Sequence, residues 1–235
     1  MFKAIKEYRR SILSPWHRRQ VLGNISEFHS REPSLDEVVR FALEIPGKGR
    51  FKVRTMQVLQ EITALAEAVK AIEPRVILEI GTAKGGTLFM WSQIASKKVV
   101  TCDLEQPDYK QPVYQAFPPP RSGCAVRTIA GDTHSMAVLE EVVRALDGDP
   151  VDFLFIDGDH TERGVEADYR MYSQLVRPGG LIAFHDIADQ QPVPTNQVQH
   201  FWKRLAPELE TEEFIADRSQ CGYGIGLVRL PSNGS

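Results

Sequence analysis

Short apolar runs alternate with longer amphipathic stretches along most of the chain after residue 75. The runs lie at Val76–Ile80, Lys98–Asp103, Ala125–Ala130, Val151–Asp157 and Gly180–Asp186. Runs such as VILEI and VDFLFID are apolar through most of their length, as expected of strands covered on both faces. Between the runs lie three predicted helices, at Gly85–Ser96, His134–Leu146 and Thr161–Val176. The alternation predicts an α/β fold with a Rossmann-like, doubly wound and mostly parallel sheet.

The regions on either side of these runs have a different pattern. Ser34 followed by Glu37 predicts a capping box, which starts a helix ending near Leu43. A loop is predicted at Ile45–Arg50 and a long helix at Val53–Ile72. Glu213–Ala216 and Tyr223–Leu230 are predicted to be strands joined by a short turn, an antiparallel pair that closes the sheet. We therefore divide the chain into a helical N-terminal extension, residues 1–51, and an α/β domain, residues 52–235.

The first twenty residues carry six basic side chains and one acidic side chain. Apolar residues recur among them at near-helical spacing, at Phe2, Ile5, Tyr8, Ile12 and Leu13. This pattern is typical of a basic amphipathic helix. Such a helix packs on the flank of a domain or contacts an anionic membrane surface, and we favour packing.

Composition narrows the classes of partner and compartment. The 235 residues include 28 Lys and Arg against 31 Asp and Glu, a net charge of −3 that argues against nucleic acid as the main partner. The longest uncharged apolar stretch, Gly85–Ser96, is shorter than the roughly 18 to 20 residues of a membrane span. Three cysteines cannot form a complete set of disulfides, which favours a reducing, cytoplasmic location. A monomer and a homodimer both stay open.

Polar side chains follow every inner strand at the edge where parallel sheets bind ligands. They are Glu79 at the first strand, Asp103 at the second, Asp132 at the third, Asp157 and His160 at the fourth, and His185 and Asp186 at the fifth. Five such strand ends in succession are difficult to explain as solvated loops. They predict a binding site.

The glycine turn after the first strand indicates which ligand binds there. Ala83 replaces the second glycine of a dinucleotide fingerprint, and Glu79 would repel a pyrophosphate but favour a cationic ligand. Asp103 is placed to accept both ribose hydroxyls, and Asp132 could accept from an adenine amino group. A ligand with adenine, ribose, a positive centre and no phosphate is S-adenosylmethionine.

Five motifs together resemble those of class I S-adenosylmethionine-dependent methyltransferases. They are EIGTAKGG, the acid at Asp103, GDT at 131–133, FIDGDH at 155–160 and RPGGLIAFHDI at 177–187. More narrowly they resemble small-molecule O-methyltransferases of the cephalosporin-hydroxylase-like and macrocin-type groups, from about Lys52 to Leu230. The resemblance implies a seven-stranded sheet with a reversed last strand. It also implies a cofactor site in which Gly81, Thr82 and Gly85 hold the methionine part, Asp103 the ribose and Asp132 the adenine end, with Glu79 and Asp157 beside it.

Metal-dependent members of this group bind a divalent ion at the ends of the fourth and fifth strands. The resemblance implies Asp157 and Asp186 as ligands, with His185 at the remaining position. Mg²⁺ prefers oxygen, and an imidazole suits a softer ion such as Mn²⁺. His185 and Asp186 would point to opposite faces of a regular strand, so both reach one ion only if the strand has ended there. His160 matches a histidine that some sugar O-methyltransferases use as a general base.

We therefore expect a methyltransferase that methylates a hydroxyl of a small metabolite, either a sugar or an aromatic compound. His160 and Asp157 are the expected catalytic residues, with S-adenosylmethionine as cofactor and Mg²⁺ or Mn²⁺ as a candidate ion. Two alternatives stay open. One is a metal-dependent hydrolase or hydroxylase that uses Asp157, His185 and Asp186. The other is a non-catalytic protein that binds an adenosyl ligand.

Overall fold

The computed structural model describes residues 2–232, and it describes side chains from residue 14 onward. The helices are α1 (Phe2–His29), α2 (Leu35–Leu43), α3 (Leu59–Ala71), α4 (Gly86–Ile94), α5 (Gln111–Tyr114), α6 (Met136–Leu146), α7 (Glu162–Tyr172) and α8 (Val198–Leu205). Two short strands, β1 (Glu44–Ile45) and β2 (Val53–Arg54), pair antiparallel. Within the described residues, none of the helices combines the length and apolar character needed to cross a membrane.

A seven-stranded sheet forms the centre of the fold. Its strands are β3 (Val76–Ile80), β4 (Lys98–Asp103), β5 (Ala125–Ala130), β6 (Val151–Ile156), β7 (Val176–His185), β8 (Glu210–Phe214) and β9 (Ile225–Arg229). Their order is β5-β4-β3-β6-β7-β9-β8. The first five strands in this order are parallel, and β9 is antiparallel to both β7 and β8. The predicted Rossmann-like sheet with a reversed end is thus confirmed.

The register of the sheet brings the polar strand ends to one edge. Ile80 pairs with Cys102 on one side and with Ile156 on the other. Ile156 in turn pairs with Phe184. Because strand order reverses between β3 and β6, the ends of these two strands lie at the switch point where doubly wound sheets bind ligands.

The two faces of the sheet carry separate hydrophobic cores. Helices α1 to α4 cover one face, where Val21 and Ile25 of α1 belong to the same buried cluster as Leu88 and Trp91 of α4. Helices α6, α7 and α8 cover the other face. Helices therefore shield both faces of the sheet from water, which is why the inner strands are apolar throughout instead of alternating between apolar and polar residues. The predicted N-terminal helix is confirmed as α1, but the side chains of its amphipathic pattern, Phe2 to Leu13, lie outside the described side chains.

Several predicted boundaries are wrong. The helix predicted over Val53–Ile72 begins only at Leu59, because Val53 and Arg54 pair with β1 and residues up to Val58 remain extended. The first residue of the predicted loop at Ile45–Arg50 is not in a loop, because Ile45 belongs to β1 and pairs with Val53 of β2. Ten residues, not a short turn, connect β8 to β9. Helix α8 has no counterpart in the sequence prediction. The capping box is confirmed: the Ser34 hydroxyl accepts from the Glu37 amide, and the Glu37 carboxylate accepts from the Ser34 amide.

The proline-rich stretch between β4 and β5 is largely part of the core. Tyr114 and Phe117 are buried and contact each other. Tyr114 packs against the glycine turn after β3: a Cβ at Gly85 would lie 2.7 Å from its ring. The stretch therefore supports the edge of the sheet where the polar strand ends meet.

Candidate active site

The turn between β3 and α4 lies directly against the end of β6. Gly81 has a φ of +100°, and a Cβ on it would lie 2.0 Å from the carbonyl oxygen of Asp157. No side chain fits in that space, so a glycine is required both by the backbone conformation and by the close approach. The turn then enters α4, whose N-cap Gly85 has no capping side chain.

Glu79 lies beneath this turn rather than in an open cavity. Its side chain is fully buried, and one carboxylate oxygen accepts a hydrogen bond from the Thr101 hydroxyl at 2.6 Å. The Thr101 hydroxyl lies 2.5 Å from that of Thr82. Burial raises the pKa of Glu79 to about 8. The structure therefore places Glu79 below the turn, as a buried group that holds Thr82 through Thr101.

Asp103 and Asp132 follow neighbouring strands but have different surroundings. Asp103 Oδ2 accepts from the backbone amide of Ala83 at 2.7 Å, which ties the end of β4 to the glycine turn. Asp103 also lines a cavity of about 600 Å³. Its neighbour Leu104 lines the same cavity and is 72% exposed, an unusual position for a leucine. Asp132 is exposed, accepts from the His134 amide at 3.0 Å, and does not line this cavity.

A second cavity, of about 320 Å³, opens on the other side of the glycine turn and is called the main cavity below. It is lined by residues 54–57 before α3, residues 81–84 of the turn, Thr87 of α4, the ends of β6 and β7, the loop residues Gln191, Pro192, Val193 and Asn196, and Tyr223 before β9. Ala83 and Lys84 line both cavities. A ligand lying over the turn could therefore extend from Asp103 to the ends of β6 and β7.

Two acids and two histidines meet in the main cavity: Asp157, His160, His185 and Asp186, called the acid–histidine cluster. His160 Nε2 lies 3.4 Å from Asp157 Oδ1, and its Nδ1 lies 3.4 Å from Asp186 Oδ2. His185 Nδ1 lies 3.2 Å from Asp157 Oδ1 and 3.3 Å from Asp186 Oδ1. The structure thus brings together all four residues that the sequence analysis assigned to catalysis or metal binding.

The end of β7 explains how His185 and Asp186 reach the same site. The strand ends at His185, and Asp186 has a φ of +64° in the left-handed region. This conformation interrupts the alternation of side chains between the two faces of the sheet. The condition that sequence analysis set for a shared site, an end of the strand at this position, is met.

The charges in the cluster compensate each other. Burial would raise the pKa of Asp157, but His185 and His160 outweigh it and hold this pKa well below its usual range. Burial would likewise lower the pKa of His185, but Asp157 and Asp186 raise it to about 10. Contact with Asp157 raises the pKa of His160. Without another cation, protonated His185 therefore balances part of the charge of the buried carboxylates.

The cluster also has the composition of a metal site. Donor atoms of Asp157, His160 and Asp186 lie within 4.8 Å of one another. This group contains the two predicted carboxylate ligands together with His160, whereas the sequence prediction paired them with His185. His185 lies deeper, 5% exposed, and its Nε2 has no hydrogen-bond partner among the described residues.

Two amides in the site were not predicted from the sequence. Gln57 Nε2 donates to Asp157 Oδ2 at 3.0 Å, and Asn196 Nδ2 donates to Asp186 Oδ2 at 2.5 Å. Gln57 was hidden inside a predicted helix, and Asn196 lies in a loop without a sequence motif. Asp159 of the FIDGDH motif accepts from the Thr161 amide just before α7 and lines neither cavity.

A further buried acid, Asp168 of α7, gives a prediction about stability. Its side chain is fully buried and lies 3.4 Å from His134 Nε2, and burial raises its pKa to about 6. Because the folded state binds this proton more tightly than the unfolded state, stability is lost as the pH rises from about 4 to 6. We expect Asp168→Asn to be more stable than wild type at pH 7, on the order of 1–3 kcal/mol, and similar at pH 4. Urea unfolding at both pH values measures this, and equal stability at pH 7 would contradict it.

Known proteins share the fold of this chain and part of its sequence pattern. Residues 78–187, just under half of the chain, match the family model of a methyltransferase domain. The O-methyltransferase from Bacillus cereus, solved in complex with SAH, superposes with a TM-score of 0.53 at 18% identity, over 96% of this chain and 97% of that one. Cofactor-bound Rv0187 from MTB superposes with a TM-score of 0.57 at 20% identity, over 83% of this chain and 87% of that one. MycE of the mycinamycin pathway, solved with Mg and SAH, superposes with a TM-score of 0.57 at 17% identity, over 86% of this chain and 56% of MycE.

No curated protein sequence matches the chain. The matched segment runs from within β3 to just past the end of β7, and the sheet has the strand order of the Rossmann-like methyltransferase fold. The family model and the fold thus agree with the resemblance noted in the sequence.

Proposed function

We propose that this protein transfers a methyl group from S-adenosylmethionine to a hydroxyl group of a small metabolite. One observation carries the proposal: two cavities meet over the glycine turn, one beside Asp103 and the other ending in the acid–histidine cluster. This arrangement suits a cofactor that binds across the turn and an acceptor that binds at the cluster.

The residues around the turn fit S-adenosylmethionine. Asp103 offers a carboxylate for the ribose hydroxyls, and the exposed Leu104 offers an apolar surface for the adenine. Thr82 and Gly85, with Gly81 in close contact with β6, shape the turn beneath the methionine part. When bound, the cofactor supplies an activated methyl group on a sulfonium. Glu79 would support the turn from below, and Asp132 would reach only the outer edge of the adenine.

The two carboxylates of the cluster fit a divalent ion such as Mg²⁺ or Mn²⁺. Asp157 and Asp186 would hold it, with their negative charges balanced by the metal instead of by protonated His185. A bound ion would supply a Lewis acid that lowers the pKa of an acceptor hydroxyl. MycE was solved with Mg, which supports the same use of the fold here.

His160 is the residue we assign as general base. Its side chain is 42% exposed, whereas that of His185 is 6% exposed, so His160 is the histidine of the cluster that an acceptor in the cavity can reach. Asp157 and Asp186 flank its two ring nitrogens and orient the ring. His160 would take the proton from the acceptor hydroxyl as the oxygen attacks the methyl carbon. His185 stays behind the carboxylates as a buried countercharge.

The rim of the main cavity favours an aromatic acceptor over a bare sugar. Met56, Val193 and Tyr223 line it and are 65%, 53% and 38% exposed, with Pro192 beside them. Tyr223 has a φ of +61°, rare for an aromatic residue, and its ring lies edge-on to His185 with the centroids 6.1 Å apart. An apolar rim around a polar, acidic floor suits a hydroxylated ring.

The proposal is tested by methyl transfer from labelled S-adenosylmethionine to a panel of catechols, phenols and sugars. The assay is run with Mg²⁺, with Mn²⁺ and with EDTA. We expect transfer to hydroxylated aromatic compounds and loss of transfer with EDTA. Labelled sugars with no labelled aromatic product would contradict the assignment of the acceptor.

His160→Ala separates the role of base from that of metal ligand. We expect it to lower kcat about 100-fold or more, because a general base typically contributes 10²–10⁴-fold. Metal affinity, measured by Mn²⁺ titration, and S-adenosylhomocysteine affinity should both stay near wild type. A variant that loses Mn²⁺ binding together with turnover would show that His160 is a ligand instead.

A further inference from the structure

Glu61 of α3 is a buried acid that lies outside both cavities. It is 1% exposed and lines neither the main cavity nor the cavity at Asp103. One carboxylate oxygen, Oε1, accepts from the backbone amide of Ala216 at 3.0 Å and from Gln220 Nε2 at 2.7 Å. The other, Oε2, accepts from the backbone amide of Gly224 at 2.9 Å. Among the side chains that the structure describes, no basic group forms an ion pair with this carboxylate, so neutral donors hold it.

The three donors belong to one segment, residues 215–224, which connects β8 to β9. Ala216 lies near the start of the segment, and Gly224 lies at its end, directly before β9. Gln220 lies between them, and residues 217–219 are exposed. A connection with an exposed middle has few packing contacts of its own. Its conformation therefore depends on the hydrogen bonds that anchor it at both ends.

Tyr223, near the end of this segment, forms part of the main cavity. It lines the cavity, and its ring lies edge-on to His185 with the centroids 6.1 Å apart. Its φ of +61° is a left-handed conformation that a residue with a large side chain adopts only where its surroundings hold it. The Tyr223 carbonyl accepts from the Ala188 amide at 2.8 Å, and the next residue, Gly224, donates to Glu61. The hydrogen bonds of Glu61 therefore help to fix the place of the Tyr223 ring at the cavity.

Both oxygens of the Glu61 carboxylate are needed for this set of bonds. A glutamine has a single carbonyl oxygen, and its amide nitrogen is a donor. In one orientation of the amide, that nitrogen would face the Gly224 amide. In the other orientation, it would face the Ala216 amide and the Gln220 side chain. At least one donor of the segment would then lose its acceptor, so the arrangement requires a carboxylate.

We propose that Glu61 is a positioning residue for the methyl acceptor, an inference that rests on the proposed function. By holding both ends of the 215–224 segment, Glu61 keeps the Tyr223 ring at the rim where an aromatic acceptor would pack. It acts through Tyr223 and contacts neither the cofactor nor the acceptor. Its loss should therefore weaken acceptor binding and leave cofactor binding unchanged.

The first test measures the segment itself and needs no substrate. Hydrogen exchange, followed by mass spectrometry, is compared for wild type, Glu61→Gln and, as matched control, Glu67→Gln, which changes an exposed glutamate of the same helix. We expect the 215–224 segment of Glu61→Gln to exchange about 10-fold faster or more, the factor that corresponds to loss of one hydrogen bond to a charged group. Strands β3 and β6 should keep wild-type exchange rates in both variants, and Glu67→Gln should keep them throughout.

The second test measures methyl transfer to the aromatic compound of the panel above that wild type methylates fastest. We expect Glu61→Gln to raise the KM for this acceptor about 10-fold, with kcat within about 2-fold of wild type and unchanged affinity for S-adenosylhomocysteine. Tyr223→Ala should raise the same KM. The double variant should be no worse than Tyr223→Ala alone, because both changes act through one ring. A purely structural role would also lower kcat and cofactor affinity, and its effect would add to that of Tyr223→Ala.

Each outcome separates this proposal from the proposed function. If the 215–224 segment of Glu61→Gln exchanges at the wild-type rate, Glu61 does not hold it, and the proposal is wrong while the proposed function stands. If exchange is faster but the acceptor KM is unchanged, or if the effects of Glu61→Gln and Tyr223→Ala add, the proposal is again wrong. If wild type methylates no compound of the panel, the proposed function fails, and the acceptor role of Glu61 fails with it.

Gln220→Ala decides the question if Glu61→Gln does not fold. It removes one of the three donors and leaves both backbone amides bonded to Glu61. We expect smaller changes in the same direction, in both the exchange of the 215–224 segment and the acceptor KM. Wild-type values of both quantities in Gln220→Ala would overturn the proposal.

Discussion

Gly81→Ala is expected to abolish cofactor binding. A Cβ at this position would lie 2.0 Å from the Asp157 carbonyl oxygen and 2.5 Å from its carbonyl carbon, and these are backbone atoms that cannot turn away. The φ of +100° adds strain of about 1–3 kcal/mol for any residue with a Cβ. The ends of β3 and β6 would have to separate, which moves the turn and the acid–histidine cluster apart. We expect affinity for S-adenosylhomocysteine to fall at least about 100-fold, together with a lower Tm.

Gly148→Ala is the matched control for this substitution. Gly148 also has a positive φ, +77°, but no atom lies within 4 Å of the position that its Cβ would occupy. It should lose roughly 1 kcal/mol of stability from backbone strain and keep wild-type affinity for S-adenosylhomocysteine. If Gly81→Ala behaved like Gly148→Ala in both measurements, the close approach of β3 and β6 would not be a requirement of the site.

Asp157→Asn is expected to have the second-largest effect, on turnover. The carboxylate of Asp157 contacts His160 and His185 and belongs to the candidate metal site. Asparagine keeps the shape of the side chain but removes its charge, so a bound metal would lose a charged ligand and His160 would lose an orienting partner. We expect kcat to fall about 1000-fold, since loss of a general base or its orientation typically costs 10²–10⁴-fold. The pKa of His185, now raised to about 10, should fall as well, because Asp157 is the main cause of its elevation.

Asp159→Asn provides the control for the change of charge. Asp159 lies two residues away, accepts a hydrogen bond from the Thr161 amide and does not line the main cavity. Steady-state kinetics should show near-wild-type kcat for this variant. Equal losses in Asp157→Asn and Asp159→Asn would mean that general electrostatics of the FIDGDH segment, and not the acid–histidine cluster, governs turnover.

The sheet could be predicted from the sequence because both of its faces are covered. Continuous apolar runs such as Val76–Ile80 and Val151–Ile156 are too short for helices and too apolar for exposed strands, so their class and limits are well defined. The structure of the segment Val53–Ile72 is harder to predict, because the spacing of its apolar residues also suits a helix along its whole length. Its first two residues form a strand only because Glu44 and Ile45 are available as partners, which is a tertiary contact.

The candidate site could be predicted in its main residues but not in its geometry. Strand ends place Asp103, Asp157 and Asp186 at one edge of any parallel sheet. His185 and Asp186 reach the same site because Asp186 has a left-handed backbone conformation. An aspartate can adopt this conformation, but its presence in the sequence does not predict it. Gln57 and Asn196 reach the cluster through their loops, and loop conformation is not encoded in a local pattern.

Titration with S-adenosylhomocysteine, the product of methyl transfer, tests the central claim most directly. Calorimetry is carried out on the 235-residue chain in excess EDTA and again with added Mg²⁺ or Mn²⁺. We predict micromolar binding in all buffers, because the cavity at Asp103 that we assign to the cofactor is formed without the acid–histidine cluster. Absence of binding in every buffer, with the protein shown to be folded by circular dichroism, would contradict the proposed methyltransferase function. The metal-dependent hydrolase would then be the better account of Asp157, His185 and Asp186.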